Sequence, residues 1–123
     1  MDPEQLLIDL LQPHVGSARV STRPAQTAPY VRVRLVGGTA LNRRQDRPML
    51  TVEATHTTET KARTLLEVCR TVLLEAASVR STGVHGVTEV GGPANLPDPA
   101  TPNLERYTMT VQLSVRRYPV RTP

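Results

Sequence analysis

The sequence has no Phe, no Trp, three Tyr and a single Cys among its 123 residues. Without large aromatic rings the core must come from Val, Leu, Ile, Ala and Met, each contributing about 1.5–3 kcal/mol when fully buried. With only 38% of the chain hydrophobic, that predicts a thin core whose burial is completed against copies of itself or a partner. One cysteine, Cys69, excludes an internal disulfide and Cys-based zinc sites. No apolar run approaches the roughly 18 residues that a membrane span needs. The opening "MDPEQLLIDLLQPH" carries no basic n-region, so no secretory signal and no membrane partner are expected.

Lysine is nearly missing as well: one Lys stands against fourteen Arg, within a net charge of +4. Lys and Arg serve equally well on most solvated surfaces, so the skew reads as codon bias in a GC-rich genome. Arginine abundance alone is therefore a discounted signal. The length is that of one domain, expected to span residues 1–123.

The apolar pattern predicts the elements. "DPEQLLIDLLQ" reads as a short helix with Asp2 at the N-cap, Pro3 at N1 and a Leu6, Leu7, Leu10, Leu11 stripe. A short strand is expected at Ala18 to Thr22. In "PYVRVRLVGG" Val31, Val33 and Leu35 point one way and Tyr30, Arg32 and Arg34 the other, until Gly37 and Gly38 break the alternation. "PMLTVEATH" alternates again, with Leu50, Val52 and Ala54 inward. The segment "TTETKARTLLEVCRTVLLEAASV" has helical spacing, capped by Thr57 or Thr58, and places Cys69 on the apolar side. "VHGVTEV" is a weak strand, and "RYTMTVQLSVRRYPV" the longest one, with Tyr107, Met109, Val111, Leu113 and Val115 buried. Residues 37–48 and 91–104 are expected to be extended loops, the second because its prolines resist helix and ladder alike. The sum is an α+β fold. A mostly antiparallel or mixed sheet of four to five strands carries one long helix, with a short N-terminal helix beside it.

No constellation for catalysis is visible. His14, His56 and His85 lack ligand spacing, and the acids are scattered. Neither Gly37–Gly38 nor Gly91–Gly92 fits a phosphate-binding loop. "LPDPATP" makes a rigid turn around Asp98 rather than a catalytic carboxylate. No enzyme activity, cofactor or metal is expected. The remaining feature is electrostatic: seven Arg and one acid, Asp46, fall between Arg19 and Arg47. Such a patch fits a nucleic-acid surface, a protein contact or plain solvated residues. Single-strand binders interleave aromatics with their basic residues, and only Tyr30 is near. Arg also suits protein interfaces, because its planar fork pairs with carboxylates and desolvates readily.

The order of these parts carries a resemblance. The short helix, "PYVRVRLVGG", a "DRP" before the next strand, the long Ala/Leu helix, "GGPANLPDP" and "RYTMTVQLSVR" together resemble tail terminator proteins of long non-contractile-tailed (siphovirus-type) phages of actinobacteria. The resemblance runs from about Leu6 to Arg117 and rests on order and spacing. It implies a homohexameric ring that caps the tail tube, ends its polymerisation and docks the head-tail connector protein. The implied partners are other copies of the chain, the tail tube protein and the connector, with DNA passing only as non-specific cargo. The implied location is the virion tail at the head-tail junction, after assembly in the host cytoplasm. A head-completion or neck connector protein, and a basic non-specific nucleic-acid-binding module, are the alternatives. Candidate interface residues are Arg32, Arg34, Arg43, Arg44 and Arg47, together with Pro93, Pro97, Asp98 and Pro99 of the stiffened loop.

Overall fold

The computed structural model describes residues 2–25, 27–40, 45–78 and 83–116. The first helix, α1, spans Pro3–Leu11, and the Asp2 carboxylate accepts hydrogen bonds from the backbone N–H groups of Glu4 (3.0 Å) and Gln5 (3.3 Å). Those two donors would otherwise be orphans of the first turn. A 3₁₀ turn, Gln12–His14, and Gly16 at φ 62° then redirect the chain into β1, Arg19–Ser21.

Four longer elements follow in pairs around the second helix. Strands β2 (Tyr30–Ala40) and β3 (Gln45–His56) form a hairpin, and α2 (Glu59–Ala76) is capped by Thr58, whose hydroxyl accepts from the Lys61 N–H. Strands β4 (Val84–Asn95) and β5 (Glu105–Arg116) complete a five-stranded sheet of order β1-β2-β3-β5-β4. All pairs are antiparallel except β1 with β2, so the sheet is mixed, in the α+β arrangement that the pattern predicts.

Alternation decides what is buried. Val31 and Val33 of β2, Leu50, Val52 and Ala54 of β3, and Met109, Val111, Leu113 and Val115 of β5 all turn to one side. There they meet Ala62, Leu66, Cys69 and Leu73 of α2, and Leu7 and Leu11 of α1. Helical i, i+4, i+7 spacing thus supplies one layer and period-two alternation the other. Among the described residues, no helix is long and apolar enough to cross a membrane.

Four expectations change. Leu35 is 47% exposed, although its ladder partner Leu50 is fully buried. The glycine pair does not end the strand. Gly37 pairs with Met49 and Gly38 with Pro48, so most of 37–48 is hairpin ladder rather than loop. The hairpin needs a glycine at 38: its φ is +133°, and a Cβ there would lie 2.5 Å from the Arg47 carbonyl oxygen. Likewise β4 runs through "GGPAN" to Asn95, despite Pro93. Pro93 falls in the register shift between Gly91 and Ala94 on an edge strand, where no ladder hydrogen bond is lost. Among the described residues the last strand is not the longest, since β3, β4 and β5 have 12 residues each, and 117–120 of the predicted strand lie outside them.

Candidate functional site

With both helices on one side of the sheet, the other face carries the polar members of the alternation. The register sets them in rows: Tyr30, Thr55 and Arg106 in one, Arg32, Glu53 and Thr108 in the next, Arg34, Thr51 and Thr110 in the third. Gln112 extends the face, its Nε2 donating to the Arg47 carbonyl at 3.3 Å.

Glu53 is the centre of this face. It is only 6% exposed, although it lies on the side away from the helices. Its Oε2 accepts from Arg106 Nη1 at 3.0 Å, and its Oε1 lies 3.9 Å from Arg34 Nη1. A buried carboxylate is tolerated when paired and hydrogen-bonded, and two guanidinium groups provide that here. Arg106 also donates from Nε to the Leu96 carbonyl at 2.8 Å, while its Nη1 stands 3.8 Å from Asp98 Oδ2. Asp98 in turn accepts from the Ala100 N–H at 2.9 Å, closing a turn in the proline-rich segment that follows β4.

The structure thus brings together two of the sequence-derived candidates, Arg34 and Asp98, through two residues that sequence reasoning missed, Glu53 and Arg106. One signal for Glu53 was available: it is the sole acid on the outward side of the "PMLTVEATH" alternation. Arg32 shares Glu53's row and donates from Nε to the Thr22 carbonyl at 3.3 Å. Arg47 is exposed on the hairpin. Pro93 is a β4 residue, and Pro97 and Pro99 are exposed beyond its end. Arg43 and Arg44 lie outside the described residues.

The helix side has its own polar contacts. Arg70 of α2 grips Glu89 of β4 through two hydrogen bonds, the second from Nη2 at 3.1 Å, with Glu67 3.5 Å away. That grip holds the Glu89 carboxyl below its ordinary value and raises the guanidinium. The Tyr107 hydroxyl donates to Glu59 at 2.8 Å, which raises its pKa. Burial and the nearby Lys61 lower that of His56, whose Nδ1 accepts from the Thr57 N–H at 2.8 Å. Cys69 is fully buried, and desolvation pushes its thiol up to about 12. Among the described residues no cluster of His, Cys, Asp and Glu has metal-binding geometry.

Fold and face together define a class: an α+β sheet protein with its helices on one side of the sheet and a polar, arginine-bearing face on the other. The family model of the phage tail termination protein matches residues 1–121, and the chain belongs to that family. A chain in the solved structure "Virion of native gene transfer agent (GTA) particle" has the same fold. Its TM-score is 0.69 at 13% identity, over 94% of this chain and 95% of that one. No curated protein matches. A viral tail terminator is a structural component of the virion.

Proposed function

We propose that this chain is the subunit of a homohexameric ring that caps the tail tube, ends its polymerisation and presents a docking surface to the head-tail connector. The observation that carries this reading is the family match across residues 1–121. Membership in a family of structural proteins also favours a non-enzymatic role. The siphovirus-type, actinobacteriophage setting belongs to the same proposal and rests on the sequence pattern.

The geometry supports an assembly role in a specific way. The helices occupy one side of the sheet, which leaves a polar face on which Arg34 and Arg106 are tethered to Glu53 rather than loose. Tethered guanidinium groups lose little entropy when they meet a partner's carboxylate or carbonyl. The paired strands β2 and β3 expose Leu35, Val36 and Arg47. We assign the polar face and hairpin to contacts with neighbouring copies, tube or connector, with Arg32, Arg34 and Arg47 among the contact residues. Arg43, Arg44, Pro93, Pro97, Asp98 and Pro99 complete the proposed contact set. DNA passes as cargo without base-specific contact.

Native mass spectrometry of the chain, alone and with tube protein, tests the ring. The reading predicts an assembly of six 13.5 kDa subunits. A monomer under both conditions contradicts it. Binding to DNA that falls steeply with salt, and is lost on Arg43→Glu with Arg44→Glu, would favour a nucleic-acid module instead.

A further inference from the structure

At the β1 edge of the sheet lies an open pocket of about 910 Å³. Arg19 and Ser21 of β1 line it with Ser17, Thr22, Arg23 and Thr27, and Pro and Ala residues supply the rest. Val20 joins the core between them, so period-two alternation turns Arg19 and Ser21 away from the helices. No carboxylate lines the pocket, and the chain has no Asp or Glu from Leu10 to Gln45. Among the described residues neither Arg19 nor Arg23 has a side-chain partner, whereas Arg34, Arg70 and Arg106 each stand against a carboxylate.

The fold holds these groups in place. The Gln12 side chain braces β1, its Nε2 donating to the Ala18 carbonyl and its Oε1 accepting from the Val20 N–H, both at 2.9 Å. Strand β1 also pairs with β2, Arg19 opposite Tyr30 and Ser21 opposite Arg32. The Ser21 hydroxyl donates to the Arg23 carbonyl at 2.6 Å and so fixes the turn that carries the second guanidinium. Arg32 adds a third at the pocket wall, where its Nε donates to the Thr22 carbonyl at 3.3 Å. Its Nη donors stay unused among the described residues.

We propose that this pocket binds a phosphate group, from a nucleic-acid backbone or as the free ion. Guanidinium forks with hydroxyls beside them are the donors that phosphate oxygens take. A carboxylate has two oxygens and is filled by one fork, while a phosphate uses several of these donors at once. No aromatic ring lines the pocket, so bases find nothing to stack on and the contact reads no sequence. In giving passing DNA a point of contact the inference rests on the assembly reading above. The pocket itself needs no ring: a monomer that binds phosphate here contradicts the ring and keeps the site.

Two probes on the full-length chain test it. One is a labelled duplex of about 20 base pairs, read by fluorescence anisotropy at low salt; the other is inorganic phosphate, read by phosphorus-31 line broadening. Arg19→Ala with Arg23→Ala should weaken duplex binding about tenfold and lower its salt slope by about 1–2. Both side chains are exposed, so the variant keeps its core. Lys61→Ala with Arg63→Ala removes the same charge from exposed positions on α2 and should leave binding within about twofold of wild type. Duplex binding lost with Arg19 and Arg23 assigns the site to a nucleic-acid backbone, and a loss confined to inorganic phosphate assigns it to the free ion. Equal losses in the two double variants, or binding of neither probe, overturn the site. A glutamate-rich peptide that binds there more tightly than both probes makes it a protein contact and overturns it as well.

Discussion

Arg106 of β5 donates from Nη1 to Oε2 of Glu53 on β3 at 3.0 Å, pinning a buried carboxylate of the polar face to the strand beside it. The same guanidinium donates to the Leu96 carbonyl and lies near Asp98, so it ties the segment after β4 to the sheet as well. Removing it undoes both attachments.

Glu53→Gln should therefore cost about 1–3 kcal/mol, since it weakens a charge-assisted bond without opening space. Arg106→Ala should cost about 2–3 kcal/mol, because it leaves Glu53 with only the looser Arg34 contact at 3.9 Å. Urea denaturation with unchanged m-values reads both. Arg106→Ala should also speed proteolysis within residues 96–104, while Glu53→Gln should do so less. Equal stability of both variants with wild type would refute the pinning.

Gly38 faces the backbone of β3. An added Cβ would meet the Arg47 carbonyl oxygen at 2.5 Å and Pro48 Cα at 2.7 Å. Gly38→Ala should cost about 1–3 kcal/mol, through a hairpin forced apart at this pair. Gly92 meets nothing within 4 Å, so Gly92→Ala is the matched control and should stay within about 0.5 kcal/mol of wild type. Thermal melts of the two variants separate steric conflict from the general loss of a glycine.

Glu89 is held below its ordinary pKa by hydrogen bonds from Arg70. A depressed folded-state pKa contributes stability that is present above the unfolded value, near 4.3, and is lost as pH falls through the folded one. The melting temperature should thus fall as pH drops from about 5 toward 3. Glu89→Gln should show a shallower fall over the same window. Parallel curves for the two proteins would show that the pair has no linkage to folding.

Cys69 is buried against β-strand side chains, with its thiol near 12. At pH 8 that leaves about one thiolate in 10⁴, before access is considered. Native protein should react with a disulfide reagent at least a hundredfold more slowly than protein in denaturant. Prompt native labelling would mean that α2 opens from the sheet.

Much of the fold was legible because its two periodicities are clean. The Leu7 and Leu11 stripe, the Ala62–Leu66–Cys69–Leu73 stripe and the Tyr107-to-Val115 alternation each name their own buried face. The strand extensions were not, because Gly37–Gly38 and "GGPAN" read locally as breaks. Pairing with β3 and β5 overrides that local preference, and register shifts absorb the misfit. The arginine-bearing strands pointed to the polar face, but its organising pair stayed hidden. Glu53 and Arg106 are 53 residues apart and meet only because β3 and β5 are neighbours.

The central claim is that this chain ends tail growth, and the lengths of tails assembled without it test that most directly. Electron microscopy of particles from a phage lacking the protein should show tubes of uncontrolled length, unattached to heads. Tails of normal length joined to heads would contradict the account.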